Sequence, residues 1–172
     1  TFHLTAKDAR AHDNDALRCA AEGGYLDVCR WLTDTFHLTA KDARAHDNDA
    51  LRRAAKTGHL DVCRWLTDTF NLTAEDARAD DNCALRIAAH CGDLDVCRWL
   101  VDTFHLTAED ARACDNHALQ FAAANGQLDV CRWLTETFHL TPADARARDS
   151  WAMSFAVANG QRSVCVWLAH TF

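Results

Sequence analysis

Two periods govern where this chain is apolar. The short one is helical. Over residues 49–57, Ala50, Leu51, Ala54 and Ala55 fall on one side of a helix, and Asp49, Arg52, Arg53 and Lys56 recur at i, i+3, i+4 and i+7 on the other. This predicts an amphipathic helix from about Asp49 to Thr57, with Asp47 or Asn48 as its N-cap and Gly58, which tolerates a left-handed backbone, as its stop. A second apolar run, Leu60, Val62, Cys63, Trp65 and Leu66, predicts a helix from Leu60 to about Thr67 with Asp61 near its positive end. Upstream, Thr39 with Asp42 three positions on makes a capping-box-like start to a very short Ala-rich helix reaching Ala45, and Leu38 is placed to staple its first turn.

The long period is 34 residues. Units 1–34, 35–68, 69–102, 103–136 and 137–170 follow without insertion or deletion, and 16 of the 34 positions carry one residue type in all five. The expected fold is therefore all-α: a solenoid of about three helices per unit, one domain over residues 1–172. One unit cannot bury its own apolar faces, so neighbours must seal it. Trp65 and Trp99 are expected to be buried between units, with Trp99→Ala costing about 3–5 kcal/mol. Phe36, Phe70, Phe104 and Phe138 are expected to fill the space beneath the loop that follows each. Thr171 and Phe172 begin the pattern again, which reads as a segment of a longer array. In the fifth unit Arg162, Ser163 and Val166 replace Leu, Asp and Arg, and Val166 makes that unit a poor polar cap.

The stretch from Ala50 to Leu66 resembles the two-helix portion of an ankyrin repeat, whose pattern runs T-P-L-H-x-A-A-x-x-G-H-x-x-V-v-x-x-L. Leu51, Ala54, Ala55, Gly58, His59, Val62 and Leu66 stand at matching positions, and the match recurs along the whole chain. Asp49-Ala50 replaces the family's Thr-Pro, and Arg52 replaces its His. Residues 35–45 replace its β-hairpin and read as a turn plus a short helix. Tetratricopeptide repeats share the 34-residue length, but their Trp, Gly, Tyr and Pro positions do not align here. The resemblance implies protein binding through a concave face built from the first helix of each ankyrin pair and the loops leading into it.

Composition narrows the partner. Apolar residues make up 49% of the chain and charged residues 25%, enough apolar material for a packed core. The net charge of −7 argues against tracking nucleic-acid phosphates. No apolar run approaches a membrane span, and no signal-peptide pattern opens the chain. Five of the nine cysteines (Cys29, Cys63, Cys97, Cys131 and Cys165) share one repeat position. Stacked helices lie about 10 Å apart, too far for a disulfide. The column is expected to be buried unpaired thiols in a reducing, cytoplasmic setting.

Differences between units concentrate at repeat positions 12, 15, 18, 19, 22, 23 and 25. Solvated drift would produce this, and so would a binding face. As a binding face it offers Arg52, Arg53, Lys56 and His59, basic together with His46, then Arg86, Ile87 and His117, then the apolar Phe121, Trp151 and Phe155. This predicts a protein or peptide partner with acidic groups near the second unit and an apolar anchor near the fifth. The alternative for Trp151 and Phe155 is packing against each other or against a further unit. Asp42, Arg44 and Asp47 read as caps and a solvated ion-pair face, and His37 with its counterparts as a polar loop contact. No phosphate cradle or catalytic triad appears, so no enzyme and no cofactor is expected. Cys83, His90, Cys91, Cys114 and His117 hold zinc-ligand chemistry, but nothing fixes their convergence, and no metal site is assigned. A structural spacer, or a thiol-rich metal or redox module, is the competing reading. A monomer is expected, with end-to-end association of uncapped units as the alternative.

Overall fold

A computed structural model describes residues 5–172; the start of the first unit, at Thr1, lies outside the described residues. Among the described residues fifteen helices follow one another in five sets of three, with no strand. Each set has a four-residue helix (such as Ala40–Ala43), an inner helix and an outer helix. The inner helices are Ala11–Glu22, Ala45–Lys56, Ala79–Cys91, Ala113–Ala124 and Ala147–Ala158; the outer ones are Leu26–Phe36, Leu60–Phe70, Leu94–Phe104, Leu128–Phe138 and Arg162–Thr171.

The short helix starts as its sequence predicts. The Thr39 backbone N–H and its hydroxyl both donate to the Asp42 carboxylate, at 2.8 and 2.9 Å. That carboxylate also receives the preceding unit's Arg10, Nε to Oδ1 at 2.9 Å. The same link recurs from Arg44 to Asp76, Arg78 to Asp110 and Arg112 to Asp144. Asp42, Asp76 and Asp110 are buried, so this is an inter-unit ladder, not the solvated ion-pair face expected for Asp42 and Arg44.

The start of the inner helix differs from expectation. Asp47 and Asn48 do not cap it; with His46 they form a left-handed turn, at φ 51°, 55° and 60° for His46, Asp47 and Asn48. Asp and Asn tolerate this region better than most side chains, which accounts for the Asp and Asn recurring here. Asn48 is buried, and its Nδ2 donates to Asp76 of the next unit at 3.3 Å. The outer helix also runs on past Thr67, to Phe70, and stops at Asn71 with φ 50°. His37, His105 and His139 occupy the same left-handed stop, so the recurring His/Asn position is a backbone requirement.

Gly58 ends the inner helix at φ +75°, and a Cβ there would run into the Asp93 carboxylate at 2.6 Å. The left-handed backbone is what favours glycine here; the Asp93 side chain could turn aside from a Cβ.

The core is built from Leu51, Ala54, Ala55, Val62, Cys63 and Leu66 and their counterparts, all at 1% exposure or less in the second unit. Inner helices of successive units pack far more intimately than outer ones, because their contact surfaces are alanine. The array therefore curves toward the inner helices, whose free edge is its concave side.

Tryptophan corrects the predicted core. Trp65, Trp99 and Trp133 are half-buried, and Trp31 is 50% exposed. They lie on the outer helices, where units splay apart. Each ring meets the phenylalanine five residues on, edge to face, as Trp65 does Phe70 at 5.7 Å. The phenylalanines themselves are buried in the core at the end of each outer helix, beside the loop leucines Leu38, Leu72, Leu106 and Leu140. All nine cysteines are free, with Cys29, Cys63, Cys97 and Cys131 fully buried.

Candidate protein-binding face

The varied residues project from the inner helices, opposite the Ala–Leu seam. Repeat position 18 anchors the first four inner helices to their left-handed turns: Arg18, Arg52 and Arg86 donate from Nη2 to the carbonyls of His12, His46 and Asp80 at 2.8, 2.7 and 2.7 Å. Gln120 does the same for Asp115, at 2.6 Å.

In the first two units the face is a closed network of opposite charges. Arg18 bridges Asp15 and Asp49 at 3.0 and 3.1 Å. Arg52 pairs with Asp49 and Asp80, and Arg53 with Asp49 and Glu22. Lys56 shares Glu22 at 3.1 Å, and His46 lies 2.9 Å from Asp13. The second unit's positive charges are therefore compensated within the protein instead of forming a free basic patch. The Lys56 hydrogen bond holds the Glu22 carboxyl below its usual range against the opposing effect of burial. His59 has a packing role: its imidazole covers Gly24 of the unit before, as Gln127 covers Gly92.

From the third unit on, the network gives way to rings. Ile87 and Arg86 are half-buried, and Phe121 (39% exposed) meets His90 edge to face at 5.7 Å and His117 in a tilted stack at 4.9 Å. Burial, with the Arg148 and Arg86 charges, depresses the His117 imidazole below its usual range. Trp151 and Phe155 pack against each other at 5.1 Å yet stay 38% and 42% exposed, and the Arg148 guanidinium lies 5.1 Å from the Trp151 ring centre. Mutual packing thus accounts for only part of their surface. Val157 and Val166 of the fifth unit are also exposed, at 62% and 50%.

The thiols in this region do not converge on a ligand. Among the described residues no group of three His, Cys, Asp or Glu side chains is placed to hold a metal ion. Burial pushes the Cys83, Cys91 and Cys114 thiols up, the opposite of what a reactive thiolate needs. No helix of the described residues is long and apolar enough to cross a membrane.

Stacked helical units, a continuous core and one variable concave edge define a repeat solenoid. The family described as ankyrin repeats (three copies) matches residues 18–110 and again 85–171. The chain belongs to the ankyrin-repeat family, whose members generally serve as modules for protein–protein interaction. No curated protein matches it. It departs from the family pattern where the hairpin is replaced by the capped four-residue helix.

Proposed function

We propose that this chain is a non-enzymatic scaffold that binds a partner protein on its concave inner-helix face. The observation that carries the reading is the division of labour between positions. The seam residues are nearly invariant and buried, whereas Phe121, Trp151 and Phe155 are large, apolar and exposed together on the varied side. Exposed aromatics clustered on one face are the residue types that dominate interface energetics.

Arg52, Arg53, Lys56 and His59 form one end of this surface, Arg86, Ile87 and His117 its middle, and Phe121, Trp151 and Phe155 its apolar end. The compensated charges of the first two units contribute register and specificity more than affinity. The free buried thiols suit a reducing compartment.

The test is capture of partners from extract of the source cells, comparing the intact chain with a Phe121→Ala, Trp151→Ala, Phe155→Ala triple variant. The reading predicts that specific partners are lost while the melting temperature stays within a few degrees, since none of the three is buried. Recovery of the same partners by both proteins would refute it.

A further inference from the structure

Arg86 breaks the charge pattern of the face. Its counterparts each reach two carboxylates: Arg18 reaches Asp15 and Asp49, and Arg52 reaches Asp49 and Asp80. At the two repeat positions that supply Arg18 with its acids, Arg86 finds Cys83 in its own unit and His117 in the next. Among the described residues it has no carboxylate partner. Its Nη2 is spent on the Asp80 carbonyl, and its Nη1 meets only the His117 Nδ1, at 3.4 Å. A guanidinium does not lose its proton, so a half-buried positive charge stands here without a counter-ion. The neighbouring charges are already matched: Arg148 pairs with Asp115 at 2.7 Å, and Lys56 with Glu22.

The same Arg86 lines a hollow of about 340 Å³, whose other walls are Cys83, Ile87, His90, Cys91, Phe121 and Lys56, the last already paired with Glu22. Its lining is largely apolar, and its size is at the low end for pockets that take small groups, room for one apolar side chain. An uncompensated guanidinium at the wall of an apolar hollow is complementary to a ligand carrying a carboxylate beside an apolar group.

We propose that this hollow receives an apolar side chain of a partner peptide, and that an Asp or Glu neighbouring that side chain docks on Arg86. The inference rests on the concave-face reading and deepens it by naming the chemistry recognised. It moves the acid-binding point from the second unit, where the charges are closed, to the third. His117, kept neutral at neutral pH, accepts from Arg86 and adds no like charge beside it.

The probe is a phage-displayed library of random 12-residue peptides, selected on the full chain. Selected peptides are expected to share Asp or Glu within about two residues of Leu, Ile, Met or Phe. In synthetic copies, changing that acid to its amide should weaken binding about tenfold or more. Against an Arg86→Gln protein the acid and amide peptides should bind alike. The acid-to-amide comparison on the unaltered protein stands even if Arg86→Gln folds poorly. Peptides with no acidic preference, or an acid-to-amide change without effect, overturn the inference. If such peptides still lose affinity to Phe121→Ala, the concave-face reading survives that result. Selection of no peptide, or of peptides indifferent to Phe121→Ala, overturns both.

Discussion

Arg78 grips Asp110 of the following unit at both carboxylate oxygens, Nε to Oδ1 at 2.6 Å and Nη2 to Oδ2 at 2.9 Å. The Thr107 N–H donates to that same Asp110 carboxylate at 2.7 Å, so one side chain closes a helix start and joins two units. Arg78→Ala leaves a buried carboxylate with only its local donors. The expected loss is about 2 kcal/mol, held below the cost of a fully buried pair by the solvent that reaches Arg78. Asp110→Ala removes both roles and should cost more. Denaturant titration of the two variants orders them.

Acid should undo this ladder. Burial raises the Asp110 carboxyl, but the Arg78 and Thr107 hydrogen bonds outweigh that and hold it at about 2, and Asp42, Asp76 and Asp144 are likewise held below the ordinary 3.8. A carboxyl with a depressed folded-state value contributes its full stability above the unfolded value and loses it as pH falls through the folded one. Stability should therefore drop between about pH 4 and pH 2. Denaturant midpoints measured across that window check it, and Arg78→Ala should flatten the decline.

The thiol column sets the alkaline limit. Burial pushes Cys29 up to about 11 and Cys63 and Cys131 to about 12, from an ordinary 9.0, and Cys97 higher still. Here the folded-state value is raised, so stability is intact below pH 9.0 and falls as the unfolded thiols ionise above it. Each buried thiol should remove about 1.4 kcal/mol per pH unit until its own folded value is reached. Cys63→Ala should lessen the slope. In a labelling time course the exposed Cys19 and Cys91 should react well before Cys63 and Cys97.

Leu100 and Trp99 are sequence neighbours with opposite fates. Leu100 is fully buried in the seam, whereas Trp99 lies half-exposed on the outer helix against Phe104. Leu100→Ala should cost about 3 kcal/mol, and Trp99→Ala, despite the larger ring, about 2 kcal/mol. Chemical denaturation of the two variants gives the order directly; a larger loss for Trp99→Ala would mean the outer helices pack more tightly than described.

The contrast between those two residues marks what was legible in the chain. Leu51, Ala54, Ala55 and Leu66 sit in a strict helical period, and stacking leaves alanine faces few ways to pack, so the seam could be read from spacing alone. Apolar size alone places Trp65 in the core, but it says nothing of which side of a splayed array a residue faces. The Arg–Asp ladder joins residues 32 positions apart, beyond any local pattern, and its only trace in the sequence is the invariance of both positions in all five units. His59 read as a contact residue because only three-dimensional stacking sets it over Gly24. The charges of Arg52, Arg53 and Lys56 read as a free patch because Glu22 and Asp80 come from neighbouring units. At Arg86 the same reasoning reverses, since Cys83 and His117 stand at the repeat positions where Arg18 finds its acids.

The most direct measurement is a map of backbone amide chemical-shift changes when a selected peptide saturates the protein. The account predicts the largest changes at 83–91 and 117–124 on the inner helices, with the outer helices Leu94–Phe104 and Leu128–Phe138 nearly unmoved. Changes centred on Trp99 and Trp133, with Ile87 and Phe121 silent, would place recognition on the convex side and contradict it.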